Sequence, residues 1–508
     1  MDGPAFEAGL KAFVLWQSVI TNAPLQKRGL LFGYELETLR RLYFNPFTLQ
    51  VDTTTCLMEG SRNMGKSATL KILFTLLMSL EINELDSEGN LEYFRARSFS
   101  RKSSKATTED GSVYHPEFEL LAEAMKQKMF VLGQGTGLNL LSIFNKETDI
   151  IEFVLAAIEM ELERTPGPDV TNVIMVGVNK MVQEVQPTQV SLGVLNNKLS
   201  ELSFADQETY HVNYRAQVAE TFELDNADLK KEVKVVKATE VQQVRPEHIR
   251  ASSEARFYQA IDLAMTCIHQ ILEGDYGGAF NGYVDVYDVL ARRVGHIDLE
   301  ALPPKGQALF EMALLRAQSN AIIASKQDIG GGRNLLKTIP HYNAGDEEGI
   351  AIKSPAHLRS LALWMIRQRS FPTADFRTIQ FGSQLLQAGD AGSAMRGLAL
   401  EIEQGFGYRM IFGQPRQKKT LDRYRELNLA EPYVQLIPDL KPGQMILLPK
   451  DNEPVVSRII VPPSLRSVIK TDAARHITDK VDRGKEAAEM RERFATLRPH
   501  GTLLKKKA

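Results

Sequence analysis

The stretch Gly60-Ser61-Arg62-Asn63-Met64-Gly65-Lys66-Ser67 has the spacing G-x-x-x-x-G-K-S, and each residue type in it has a chemical use. Gly60 and Gly65 let the backbone curl so that successive N–H groups converge on phosphate oxygens. Ser61, Arg62, Asn63 and Met64, with Ala68 just beyond, supply further backbone donors to the same cradle. Lys66 brings a point charge to β- and γ-phosphates, and the Ser67 hydroxyl offers one coordination position to Mg2+. The chemistry this points to is capture of ATP with Mg2+. Hydrolysis is a further step, because it needs a carboxylate on the Mg2+ and another to polarise the attacking water.

The flanks suit that chemistry. Leu49 to Met58 is rich in β-branched residues and reads as a strand. Ala68 to Leu80 is apolar nearly all round and reads as a buried helix, whose N-terminal dipole adds to phosphate binding. The carboxylates are best sought in Asp346-Glu347-Glu348, which precedes Gly349-Ile350-Ala351-Ile352. Acidic pairs of this kind end a buried, apolar parallel strand, whereas Ile339 to Gly345 is polar and contains Pro340. Two readings of the cluster therefore stand, a strand-end acidic pair and an exposed acidic turn.

Composition bounds the rest. The chain of 508 residues can bury a large core and divides into two or three units. A net charge of -2 gives no global field toward nucleic acid, so any DNA contact must be local or indirect. Two cysteines, Cys56 and Cys267, exclude a disulfide framework and fit a reducing compartment. No run of about eighteen apolar residues is present, and the start lacks a basic segment followed by an apolar one. The expected location is cytoplasmic, with peripheral attachment to the inner face of a membrane left open.

Along the chain, residues 1–48 read as a short N-terminal module, with a helical stretch from Pro4 to Thr21. Residues 49–149 form the first part of a nucleotide-binding core, 150–274 a helical subdomain, 275–470 the second part of the core, and 471–508 a charged helical tail. Glu81 to Gly111, with RARSFSRKSSK at its centre, reads as a solvated mobile loop in preference to a DNA-contacting one. Gly133 to Gly137 shapes a turn at a strand end. Val170 to Val178 is rich enough in β-branched residues to read as strand or helix.

The order of these pieces resembles the ATPase domain of the conjugative-transfer (type IV secretion) P-loop ATPases, TraC-like or actinobacterial-type and related to FtsK/HerA. The matching pieces are the phosphate loop, a helical insertion, the turn Gly274 to Gly282, an acidic pair, and the run Leu386 to Gln414 containing Ala388-Gly389-Asp390-Ala391-Gly392-Ser393. The resemblance spans residues 30–475. It implies an α/β, RecA-like fold with a mainly parallel central sheet and an all-helical inserted subdomain, and ATP and Mg2+ as ligands.

The resemblance also assigns residues. Lys66 and Ser67 carry nucleotide and metal. Counting back from Gly389 sets Asp346 on the Mg2+ and Glu347 as catalytic base, with Glu347 and Glu348 the alternative register. Arg409 and Gln414 fall where the family has groups near a γ-phosphate, its own or a neighbour's. Implied partners are further copies in a hexameric ring and membrane-bound secretion or conjugation channel proteins, with DNA contacted indirectly. Two departures are visible. The acidic segment after the phosphate-loop helix is reduced to Pro116-Glu117-Phe118, and the strand before Ala388 reads Phe376 to Gly382. A degenerate ATP-binding scaffold and a DNA-translocating motor are the competing functions.

Overall fold

Thr55-Cys56-Leu57-Met58-Glu59 is buried at every position, as a central strand covered on both faces must be. Its side chains alternate between two cores. Cys56 and Met58 pack with Leu70, Leu73, Phe74 and Phe118, while Leu57 packs with Leu358, Leu361, Met365 and Ile402. The helix Lys66–Met78 leaves the phosphate loop into the first core, and its described side chains from Ala68 to Leu76 are all buried.

The computed structural model describes residues 30–44, 55–78, 81–85, 91–93, 95–101, 103–108, 111–116, 118–124, 127, 129–133, 135–144, 146–210, 247–274, 276, 278–282, 284–285, 294–328, 341–346, 355–368, 373–380, 393–449, 453–462, 465 and 469. In chain order the strands are β1 (Leu30–Glu35), β2 (Arg41–Phe44), β3 (Thr55–Glu59), β4 (Glu81–Leu85), β5 (Leu91–Tyr93), β6 (Arg95–Ser100), β7 (Ser103–Thr108) and β8 (Gly111–Pro116). They continue with β9 (Met129–Val131), β10 (Leu138–Asn139), β11 (Val284–Asp285), β12 (Val294–Asp298), β13 (His341–Gly345), β14 (Thr373–Ile379), β15 (Tyr408–Phe412), β16 (Gln444–Pro449) and β17 (Val455–Ile459).

An 11-stranded sheet has the order β2-β1-β17-β16-β15-β3-β14-β13-β6-β12-β9. From β15 to β9 every pairing is parallel, and from β2 to β15 every pairing is antiparallel. The sheet is thus α/β and parallel around the phosphate loop. The residues read as an N-terminal module contribute β1 and β2 to its antiparallel edge; Pro4 to Thr21 and the tail from 471 lie outside the described residues. The helices Pro355–Gln368 and Ala394–Gly405 cover the face that carries Leu57.

The chain divides into two compact units, one drawn from Met1–Leu132 and Asp288–Ala508 and the other from Gly133–Tyr287. The second holds the helices Glu147–Leu162, Pro168–Glu184, Leu192–Ser200 and Glu247–Glu273. Val170 to Val178 is helical: Val170, Val173, Ile174, Gly177, Val178 and Met181 are buried at three- and four-residue spacing, behind Pro168 in the first turn. The glycine-rich turn Gly133 to Gly137 runs into β10, which pairs in parallel with β11. Among the described residues no helix is long and apolar enough to cross a membrane.

One expectation is overturned. Glu81 to Gly111 is not a loop in its described parts: it forms β4 to β7, and β6 is an inner strand of the main sheet between β13 and β12. Arg97, Ser98 and Arg101 are buried. A charged run reads as solvated because isolated buried charges are expensive, but Arg101 is compensated from far along the chain. Arg101 Nη2 donates to Glu311 Oε2 at 2.7 Å, and Arg377 Nη1 to Glu311 Oε1 at 2.5 Å. Burial pushes the Glu311 carboxyl up, yet Arg377, Arg101 and His357 together hold it well below the usual carboxylate range.

Candidate nucleotide site

The phosphate loop begins where β3 ends. A Cβ on Gly60 would lie 2.5 Å from Phe412 Cβ on β15, so close backbone approach requires glycine there. The turn itself comes later, at Asn63 (φ 62) and Gly65 (φ 102), both in the left-handed region. The loop is braced from two sides. Ser61 N–H donates to Gly413 O at 2.9 Å, and Gly443 N–H donates to Met64 O at 3.0 Å. Lys66 Nζ lies over the loop, donating to Gly60 O at 2.5 Å and Ser61 O at 2.8 Å. Arg62 and Asn63 are exposed, Met64 is half-buried, and Ala68 is buried in the first turn of the helix.

Asp346 follows directly on β13, at the carboxyl edge of the parallel strands. It is 1% exposed. Ser67 Oγ donates to Asp346 Oδ2 at 3.0 Å, Thr378 Oγ1 donates to Oδ1 at 2.5 Å, and the Asp346 N–H donates to Phe99 O at 3.1 Å. Asp346 is therefore not in an exposed turn. The polarity of β13 is resolved by pairing: Asn343 and Gln318 exchange amide hydrogen bonds at 2.8 and 2.9 Å, and Tyr342 packs against Phe74 and Phe376. Glu347, Glu348 and most of the Ala388 to Ser393 run lie outside the described residues.

β14 stands between β3 and β13, and this is how Thr378 reaches Asp346. The sequence carries only a faint signal for Thr378, a hydroxyl near the end of a partly apolar strand. The hard-oxygen set of Ser67 and Asp346, beside a loop with a lysine, fits a Mg2+–triphosphate ligand.

The nomination of Arg409 near a γ-phosphate is corrected by its surroundings. Its guanidinium is buried on β15, where Nη2 donates to Glu403 O at 2.7 Å and Nη1 to Glu403 Oε1 at 3.4 Å, with Glu59 Oε1 3.7 Å away. A cation committed to two carboxylates inside the fold is not free to meet a phosphate. Gln414 does stand just past the end of β15, but buried, donating through Nε2 to the Tyr424 hydroxyl at 3.1 Å and to Gln380 O at 3.4 Å.

Sequence reading also misses Glu59. Its signal is an acidic residue at the last position of an otherwise apolar strand, directly before the loop. It is fully buried, and neither carboxylate oxygen has a hydrogen-bond partner among the described residues. Burial pushes its carboxyl up to about 7; Arg409 pulls it down and Glu403 pushes it up again. A raised carboxyl binds its proton more tightly in the folded chain, so its contribution is fully present below about 4.5 and is lost as pH rises through about 7. At about 1.4 kcal/mol per pH unit, the ionised form costs on the order of 3 kcal/mol. Glu59→Gln is expected to gain stability relative to the parent by about that amount between about pH 5 and about pH 8. Denaturant unfolding at both pH values measures it, and a pH-independent difference contradicts it.

No family model matches the chain, and no curated protein matches it. Solved structures are. VirB4 of Thermoanaerobacter pseudethanolicus aligns over 87% of this chain and 98% of that one, with a TM-score of 0.56 and 11% identity. The two chains share a fold. The bacterial conjugative coupling protein TrwBdeltaN70 aligns over 90% of this chain and 92% of that one, with a TM-score of 0.48 and 11% identity. The plasmid coupling protein TrwB, in complex with the non-hydrolysable ATP analogue ADPNP, aligns over 87% of this chain and 95% of that one, at 0.47 and 13% identity. The last two scores are below 0.5, so the fold assignment rests on VirB4. It agrees with the RecA-like fold expected from the sequence.

Proposed function

We propose that the chain binds ATP with Mg2+ at Gly60 to Ala68 and hydrolyses it as the motor or assembly ATPase of a conjugative, type IV secretion-like DNA-transfer system. The contact of Ser67 Oγ with Asp346 Oδ2 carries this reading, because it joins the metal-binding hydroxyl of the loop to a carboxylate at the strand edges where ligands of open α/β sheets bind. Bound Mg2+ would neutralise charge on the terminal phosphates. Asp346 and Ser67 hold it, Thr378 orients the carboxylate, Lys66 meets the phosphate oxygens, and Glu347 or Glu348 takes the proton of the attacking water. The VirB4-like fold supports the secretion setting. Assembly into a hexameric ring, attachment to membrane channel proteins and indirect contact with DNA belong to the same proposal.

The scaffold alternative would be favoured by unpaired polar residues before Asp346. Of the polar residues there, Asn343 on β13 is buried and paired with Gln318, and Tyr342 is buried among aromatic rings, which supports the hydrolytic reading. The test is phosphate release and nucleotide binding in Glu347→Gln and Glu348→Gln, made separately. One variant is expected to keep binding and lose turnover by about 100-fold or more, which names the base. Unchanged turnover in both overturns the assignment, and a parent that binds ATP but releases no phosphate is a scaffold.

A further inference from the structure

Glu59 sits one residue before the first glycine of the loop, on the sheet face away from the loop helix. The groups facing it are, from β15, Arg409; from the helix Ala394–Gly405, Glu403; and from the helix Lys418–Glu426, Arg423 and Tyr424. The cations are largely spoken for. Arg409 Nη1 is nearer to Glu403 than to Glu59, and Arg423 is shared between Glu403 and Glu426. Among the described residues, an ionised Glu59 therefore has a shared ion pair with Arg409 at 3.7 Å, the more distant attraction of Arg423, and no hydrogen bond within 3.5 Å to offset its burial. Phosphates arriving at the loop would bring further negative charge across a dry, low-dielectric strand end, where repulsion is strong.

We propose that Glu59 is a proton-linked positioning residue that regulates nucleotide binding: with its carboxyl protonated the loop accepts triphosphate, and with it ionised the buried charge behind Gly60 opposes it. This rests on the reading that triphosphate binds at the loop. By reciprocity, bound nucleotide favours protonation of Glu59. The linkage falls near neutral pH, because burial already pushes this carboxyl up to about 7.

The test is calorimetric titration of the full chain with Mg2+ and a non-hydrolysable ATP analogue at about pH 6 and about pH 8, for the parent and Glu59→Gln. The parent is expected to lose about tenfold more affinity between the two pH values than Glu59→Gln, within the usual range of coupling between sites. Comparing the two proteins removes the ligand's own titration. Glu403→Gln provides a second arm: Glu403 pushes the Glu59 carboxyl up, so its loss should move the midpoint of the pH dependence to lower pH. The same pH dependence in parent and Glu59→Gln, or an unmoved midpoint in Glu403→Gln, overturns the inference while leaving nucleotide binding intact. No binding by the parent at either pH removes the phosphate-loop reading itself, and the inference with it.

Discussion

Asp346→Asn is expected to lower Mg2+-dependent ATP turnover by about 100-fold or more, since a metal clamp on transferring phosphate is worth several kcal/mol. Asparagine keeps the shape of the side chain: its one amide oxygen can accept from one of the two hydroxyls, Ser67 Oγ or Thr378 Oγ1, and the other can turn to accept from the amide N–H, so the local packing should survive. It lacks the anionic oxygen that a hard cation prefers. The variant should therefore bind nucleotide almost equally with and without Mg2+, whereas the parent should bind more tightly with it. Phosphate release and paired titrations with Mg2+ and with a chelator measure both effects. Full turnover in Asp346→Asn would remove the carboxylate from the metal site and leave Ser67 without its assigned partner.

Lys66→Ala should weaken triphosphate binding on the order of 100-fold, the worth of hydrogen bonds to a charged group at about 1.4 kcal/mol per factor of ten. The fold should hold. Ser61 and Met64 stay braced by Gly413 and Gly443 when the carbonyls of Gly60 and Ser61 lose the lysine as donor. Circular dichroism and thermal unfolding alongside the titration separate the two consequences. A variant that melts far below the parent yet binds normally would make Lys66 a structural clasp and not a ligand contact.

The strand and helix that position the loop are legible in the sequence because their patterns are local: a β-branched run, a glycine spacing and an apolar helix lie next to one another. Asp346 is legible as a candidate and ambiguous as a strand end, because what makes β13 buriable is Gln318 on a distant helix. β6 fails for the same reason. The arginine-rich stretch of β6 and the residue after it reads as solvent-facing until Glu311 is brought beside Arg101 by the fold. Arg409 shows the reverse error. A resemblance assigns a role by order along the chain, but the pairing of β15 with β3 and the placement of Glu403 decide where the guanidinium is spent. Thr378 and Glu59 act through neighbours that only sheet order reveals, so neither could be ranked above other polar residues from sequence alone.

The account stands on one claim, that the loop from Gly60 to Ala68 binds a nucleoside triphosphate whose Mg2+ is held by Ser67 and Asp346. The most direct measurement is calorimetric titration of the full chain with a non-hydrolysable ATP analogue, with Mg2+ and with a chelator, in the parent, Lys66→Ala and Asp346→Asn. The account predicts saturable binding in the parent that Mg2+ tightens, near-complete loss in Lys66→Ala, and binding in Asp346→Asn that no longer responds to Mg2+. No binding in the parent, or isotherms unchanged by both substitutions, would contradict it.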